Sequence, residues 1–186
     1  MRKFFQYGGI AASVVLIAFG IGALYMGIDG RGYVRDNLAA EKIVGTEDST
    51  IPGQLVDTGA EAQAFAKVMR EHTLESTGGK TYSEMGRFLT ADGQETNDEK
   101  AAAVNEQTGK PVENGLRNLW VTETALTTAL NTAYFAEQVA TFAIVMGVAM
   151  LLAGLGFAVL TFRVLVPAGK REGSRAQAGT AAVASA

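Results

Sequence analysis

The 186-residue chain has no cysteine, a single histidine, a single tryptophan and three prolines. Without cysteine there are no disulfides and no thiolate chemistry. A segment facing an oxidising compartment must then rely on packing, tethering or self-association. With one histidine, His72 is the sole imidazole for a ligand set or a nucleophile–base pair. No G-x-x-x-x-G-K-[ST], G-x-S-x-G or H-E-x-x-H occurs, so neither a phosphate loop, a hydrolase elbow nor a zinc protease helix is indicated. The formal net charge of −3 gives no footing for a nucleic-acid partner.

What the chain has in quantity is uninterrupted hydrocarbon. "GGIAASVVLIAFGIGALYMGI" (8–28) carries no charge, and neither does 138–162, which contains "VATFAIVMGVAMLLAGLGFAVL". Each matches the ~20 residues that cross ~30 Å of hydrocarbon as a helix, the conformation that satisfies its own backbone there. Arg2 and Lys3 before the first run resemble the start of a signal peptide. The run exceeds the usual apolar length of a leader, however, and no A-x-A site precedes Asp29, so a retained anchor is expected.

Charge sets the expected orientation. Residues 29–137 hold ten Lys/Arg against eighteen Asp/Glu, whereas the two ends hold six basic residues against Glu172. Basic flanks stay cytoplasmic. The expected order is a cytoplasmic N-terminus (1–7), a span (8–28), an extracytoplasmic helical domain (29–137), a second span (138–162) and a basic, disordered cytoplasmic tail (163–186). Lys170, Arg171 and Arg175 in that tail are placed to meet anionic lipid heads. Phe4, Phe5 and Tyr7 at one boundary, and Tyr25, Tyr134 and Phe135 at the other, suit membrane interfaces.

The fold class expected is all-α, a membrane hairpin with a helical outer domain. A helix is expected to run outward over 33–44, with Gly30 and Gly32 as a flexible joint. Gly45, Pro52, Gly53 and Gly59 mark a loop. Thr58-x-x-Glu61 is a capping box, and Gly78–Gly79 suits a left-handed cap, bracketing a helix over 59–76. Going round it at 100° per residue, His72 falls under Phe65 with Ala62 and Met69, on the apolar face and within reach of Glu75. That placement predicts an anchored packing or interface residue. Shorter helices are expected over 82–89, behind a second capping box at Thr81 and Glu84, and over 98–107. From Asn114, a suitable N-cap, one helix of about 50 residues and about 75 Å should run to Pro167.

On that long helix Thr124, Thr127, Asn131, Tyr134, Gln138 and Thr141 form one stripe. It is either a solvated face or, in a channel or transporter subunit, the lining of a water path. Leu116, Leu119, Leu126, Leu130 and Ala133 lie opposite and are expected to pack on helix 59–76. Trp120 is an interaction or packing candidate on the same helix. Small residues four apart (Gly9/Ser13, Ala18/Gly22, Ala23/Gly27, Ala149/Ala153, Gly154/Ala158) favour close helix packing within the hairpin or between copies.

The runs "AFAKVMREHTLESTGGKTYSEMGRFL" (64–89) and "NGLRNLWVTETALTTALNTAYFAEQVATFAIVMG" (114–147) look like a family of small, uncharacterised bacterial membrane proteins. "ASVVLIAFGIGA" (12–23) and "EKIVGTEDS" (41–49) fit it too. The resemblance implies two spans around an extracytoplasmic segment, in the bacterial inner membrane. Some members carry the label of an aromatic ring-opening dioxygenase. That chemistry uses Fe(II) held by two histidines and a carboxylate, which one histidine does not supply, and the acids of "DGQETNDE" do not match a calcium loop. No catalytic residue, cofactor or metal is therefore expected, and a metal-dependent oxygenase resting on His72 and Glu75 is the remaining alternative. A non-enzymatic protein is expected, whose outer domain contacts the bilayer, another copy or another envelope protein.

Overall fold

A computed structural model describes residues 2–165, so the basic tail expected from Val166 onward lies outside the described residues. The fold is mostly helical, with three α-helices among these residues: α1 (Arg2–Ala40), α2 (Gly59–Ser76) and α3 (Gly115–Leu160), the last continuing into one π-helical turn (Thr161–Leu165). α1 and α3 are both long and apolar enough to cross a membrane. The chain divides into two units, one made from residues up to Arg31 and from Val139 on, the other from Gly32–Gln138.

The first unit is a pair of helices held by a seam of small residues. Ser13, Gly20 and Gly27 recur every seven residues on α1, as do Ala140, Gly147 and Gly154 on α3 with Thr161 in the turn that continues it, and all seven are buried. A seven-residue period keeps one seam facing its partner when helices coil gently. The approach is close. A Cβ on Gly20 would lie 2.9 Å from the Gly147 carbonyl oxygen, and one on Gly147 would lie 2.9 Å from that of Gly20. Gly27 meets the Ala140 carbonyl at 2.7 Å and Gly154 meets Ile17 Cγ1 at 2.7 Å in the same sense. Expectations based on residues four apart are partly corrected. Gly9, Ser13, Gly27 and Gly154 are at the contact, but Gly22 faces open space and Ala18, Ala149 and Ala153 are exposed. At close range the helices meet along one seven-residue ridge, so only every second or third small residue is used.

In the second unit the expected joint at Gly30 and Gly32 is absent, because α1 is unbroken to Ala40. It stops short of the expected Val44, where Lys42 adopts a left-handed conformation (φ 54°). Val44 then bridges to Leu55, closing a compact loop in which the Val56 side chain is fully buried. α2 begins and ends where its caps dictate. The Thr58 and Glu61 side chains satisfy each other's backbone N–H, and Gly78 and Gly79 take positive φ. Its first residue, Gly59, is crowded against α3, where a Cβ would sit 2.8 Å from Tyr134 Cα. The core joins Leu38, Val56, Ala62, Ala66 and Leu130.

Two expected helices are corrected. Over 82–89 only a 3-10 turn forms (Tyr82–Glu84). Beyond it Met85 is extended, and Gly86 sits where a Cβ would meet Thr96 N at 2.6 Å. Over 98–107 there is only the 3-10 turn Glu99–Ala101. Instead β1 (Phe88–Leu89) pairs antiparallel with β2 (Glu95–Thr96), and Leu89 also donates its N–H to the Val112 carbonyl and accepts from the Ala103 N–H. The mostly helical fold thus carries a small β layer, which stands between α2 and α3 in the sequence. Short alanine-containing helices are marginal alone, and here the backbone donors they would use are taken by distant partners.

Candidate functional site

His72 is not on the buried face. It is half exposed, and its Nε2 lies 2.5 Å from Asp48 Oδ2 in the loop after α1. Phe65 and Met69 do pack on the core, while Glu75 is exposed. The anchored-core expectation for His72 is therefore corrected, because a hydrogen-bonding partner 24 residues away holds its ring outward. The hydrogen bond to Asp48 raises the His72 pKa above its ordinary 6.5, helped by the charges of Asp48, Glu75 and Glu71. The same bond, with one from Thr46, lowers that of Asp48 below 3.8.

The sign of the pH dependence follows. The His72 contribution is complete below its unfolded value and disappears as pH rises through the raised folded value. That of Asp48 is present above its ordinary value and disappears as pH falls through the lowered one. The pair therefore steadies the loop between those limits, in mildly acidic solution, and less in alkaline solution. A small fall in thermal midpoint is expected from pH 6 to pH 9, and it should vanish in His72→Gln. Melting curves of both proteins across that range check it.

The polar stripe of α3 is exposed over part of its length. Thr124 and Asn131 are exposed, Gln138 is exposed, and Tyr134 is half-buried beside Gly59. Of the leucines opposite, only Leu130 is buried, with Ala133 packed on the core; Leu116, Leu119 and Leu126 are exposed. α2 sits over α3 one face round from the position expected, because Gly59 lets its start approach Tyr134. Trp120 is buried, donates from Nε1 to the Lys80 carbonyl at 3.0 Å and has the Arg70 guanidinium 5.1 Å from its ring centre.

The displacement of α2 leaves an open groove of about 760 Å³ in the second unit. Tyr33 and Leu38 of α1, Phe65 and Met69 of α2, and Leu126 and Ala133 of α3 supply its walls. Two of its polar members are occupied locally, Asn37 donating to the Tyr33 carbonyl and Thr132 to that of Thr128, and Glu41, just past the end of α1, also lines it. The volume is that of a typical ligand or side-chain-accepting cleft, and its chemistry is apolar contact. Leu126, expected to pack on α2, instead lines this groove, and helical periodicity does not announce Tyr33 and Leu38 as its wall. Among the described residues no three His, Asp or Glu side chains converge as metal ligands.

These features define a mostly helical protein with two helices long and apolar enough to cross a membrane and an apolar groove in its second unit. Comparison with protein families, curated proteins and solved structures finds no match.

Proposed function

We propose that the protein is a two-span, non-enzymatic component of the bacterial inner membrane, with both termini cytoplasmic, whose second unit holds an apolar helical segment of another envelope membrane protein in its groove. Membership of the two-span family that the sequence resembles is part of this proposal. The observation that carries it is the exposure of α1 and α3. Only 11% of the most apolar stretch of each is buried, and Phe19, Met26, Phe142 and Leu152 are more than 60% exposed. Each such side chain left in water forgoes roughly 1.5–3 kcal/mol of burial; in hydrocarbon it forgoes nothing. The charge contrast between the ends and residues 29–137 supports the orientation. The mostly apolar lining of the open groove supports an interaction role.

The absence of native cysteine makes the test clean. A single cysteine at Glu106 should react with an impermeant maleimide in intact spheroplasts. A photo-reactive amino acid at Leu126, in the groove, should crosslink to another membrane protein, whereas one at Val104, exposed and outside the groove, should not. An unlabelled Glu106 position would overturn the orientation. Crosslinks only to a second copy would replace the partner by self-association, and none at Leu126 would remove the groove from the reading.

A further inference from the structure

A second cleft, of about 420 Å³, lies between α2 and α3 on another side of the second unit. Its composition is opposite to that of the groove. α2 contributes Gln63, Lys67 and Arg70, and α3 contributes Glu123, Thr127 and Asn131. The spacings, i, i+4, i+7 on one helix and i, i+4, i+8 on the other, turn two polar faces toward one cleft. At its wall Glu123 is 4% exposed.

That burial is the unusual fact. Among the described residues the Glu123 carboxylate has one hydrogen bond, accepted from its neighbour Thr124 at 3.2 Å, and no cationic nitrogen within 4.0 Å. The other carboxylate oxygen is not sealed off from solvent, so it is open to a donor in the cleft. The surrounding groups are disposed to help a bound cation. The Thr127 hydroxyl spends its proton on the Glu123 carbonyl at 2.9 Å, leaving its oxygen as an acceptor. The Gln63 and Asn131 amides form no hydrogen bond among the described residues. One carboxylate with neutral oxygens suits the three N–H donors of a primary ammonium, whereas a hard divalent cation takes six or more oxygens, usually with further carboxylates. Lys67 and Arg70 stand on the facing helix. Among the described residues the only ion pair of Lys67 is the exposed, 4.0 Å contact with Glu71, and Arg70 rests on Trp120. Both keep donors for an anion.

We propose that this cleft binds a primary-ammonium zwitterion, its ammonium on Glu123 and its anionic group on Lys67 and Arg70. The same chemistry is carried by a free α-amino acid and by an ethanolamine phosphate head group, either soluble or on a lipid. The proposal concerns a small-ligand site and does not depend on the groove or on the orientation in the membrane.

The test uses the full chain in maltoside micelles. O-phosphoethanolamine and glycine are titrated by calorimetry, with O-phosphocholine as control because its quaternary nitrogen donates no hydrogen bond. At least one primary amine should bind saturably, and Glu123→Gln should weaken it at least about tenfold, the effect of about 1.4 kcal/mol. Arg70→Gln should weaken it too. Tighter glycine would identify a free amino acid as the source. Tighter O-phosphoethanolamine, with phosphatidylethanolamine retained by wild type but not by Glu123→Gln in mixed-lipid nanodiscs, would identify the lipid. Equal binding of O-phosphocholine, no saturable binding of either amine, or unchanged affinity in Glu123→Gln would overturn the proposal. Should Glu123→Gln not fold, the exposed Asn131→Leu carries the same expectation and the same refutation.

Discussion

Gly20→Leu should destabilise the α1–α3 pair by about 3 kcal/mol or more, while Gly22→Leu, two residues away, should change stability by less than about 0.5 kcal/mol. The two glycines share a helix and a run of sequence, so helix propensity cancels in the comparison. They differ in what a side chain would meet. A Cβ at position 20 would lie 2.8 Å from Leu151 Cγ, 2.9 Å from the Gly147 carbonyl oxygen and 3.0 Å from Leu151 N, whereas at position 22 nothing stands within 4 Å. Two of the three atoms at position 20 belong to the backbone of α3, and a backbone cannot rotate away as a side chain does. The helices must separate along the seam, and Gly27 and Gly154 would lose their contacts with it. Close approach of this kind is what small residues contribute where no hydrophobic effect drives helices together. Thermal denaturation in mild detergent, followed by far-ultraviolet circular dichroism, checks the pair. Equal melting of the two variants would mean that the seam does not hold the helices.

Asn114→Leu is expected to cost about 2–4 kcal/mol in the second unit, from two separable losses. The buried Asn114 side chain accepts from the backbone N–H of Leu116 at 3.1 Å, capping α3, and donates to the Gly86 carbonyl at 3.0 Å. It thereby fastens the start of the long helix to the β layer, beside the backbone bond from Asn114 N to the Arg87 carbonyl. Asn114→Ser separates the terms. Serine is a good cap but too short to reach Gly86, so it should show about half the loss. Trp120, the sole tryptophan, is buried six residues along the same helix and reports the opening directly. Urea unfolding followed by its fluorescence should give midpoints in the order wild type, Asn114→Ser, Asn114→Leu. A serine variant as unstable as the leucine one would assign the whole effect to the Gly86 bond.

The elements legible in the sequence are those whose causes are local. Two uncharged runs are long enough to be spans whatever surrounds them. The Thr58–Glu61 box, the Gly78–Gly79 stop and the Asn114 cap each act within four residues, and α2 and α3 begin where they dictate. The capping box at Thr81 shows the limit of such signals. It forms, with both side chains bonded, yet the helix behind it lasts three residues. Thr96 and Val112 are far along the chain, and only the folded arrangement brings their backbones to Phe88 and Leu89.

Side-chain placement in the second unit was settled by the seating of α2 on α3, which is close at Gly59. It turns α2 toward Thr127 and Asn131, leaves Leu126 in an open groove and buries Glu123. Helical periodicity had related these residues to their own helix and said nothing of where the neighbour would rest. His72 shows the same division, since its stripe is a property of α2 while Asp48 arrives from a loop. Length and apolarity, helix starts and helix stops were determined by the sequence itself, being short-range preferences of the backbone. Which faces meet, which acid is buried and which small residues touch were decided by tertiary structure, because close packing selects among faces that look alike one helix at a time.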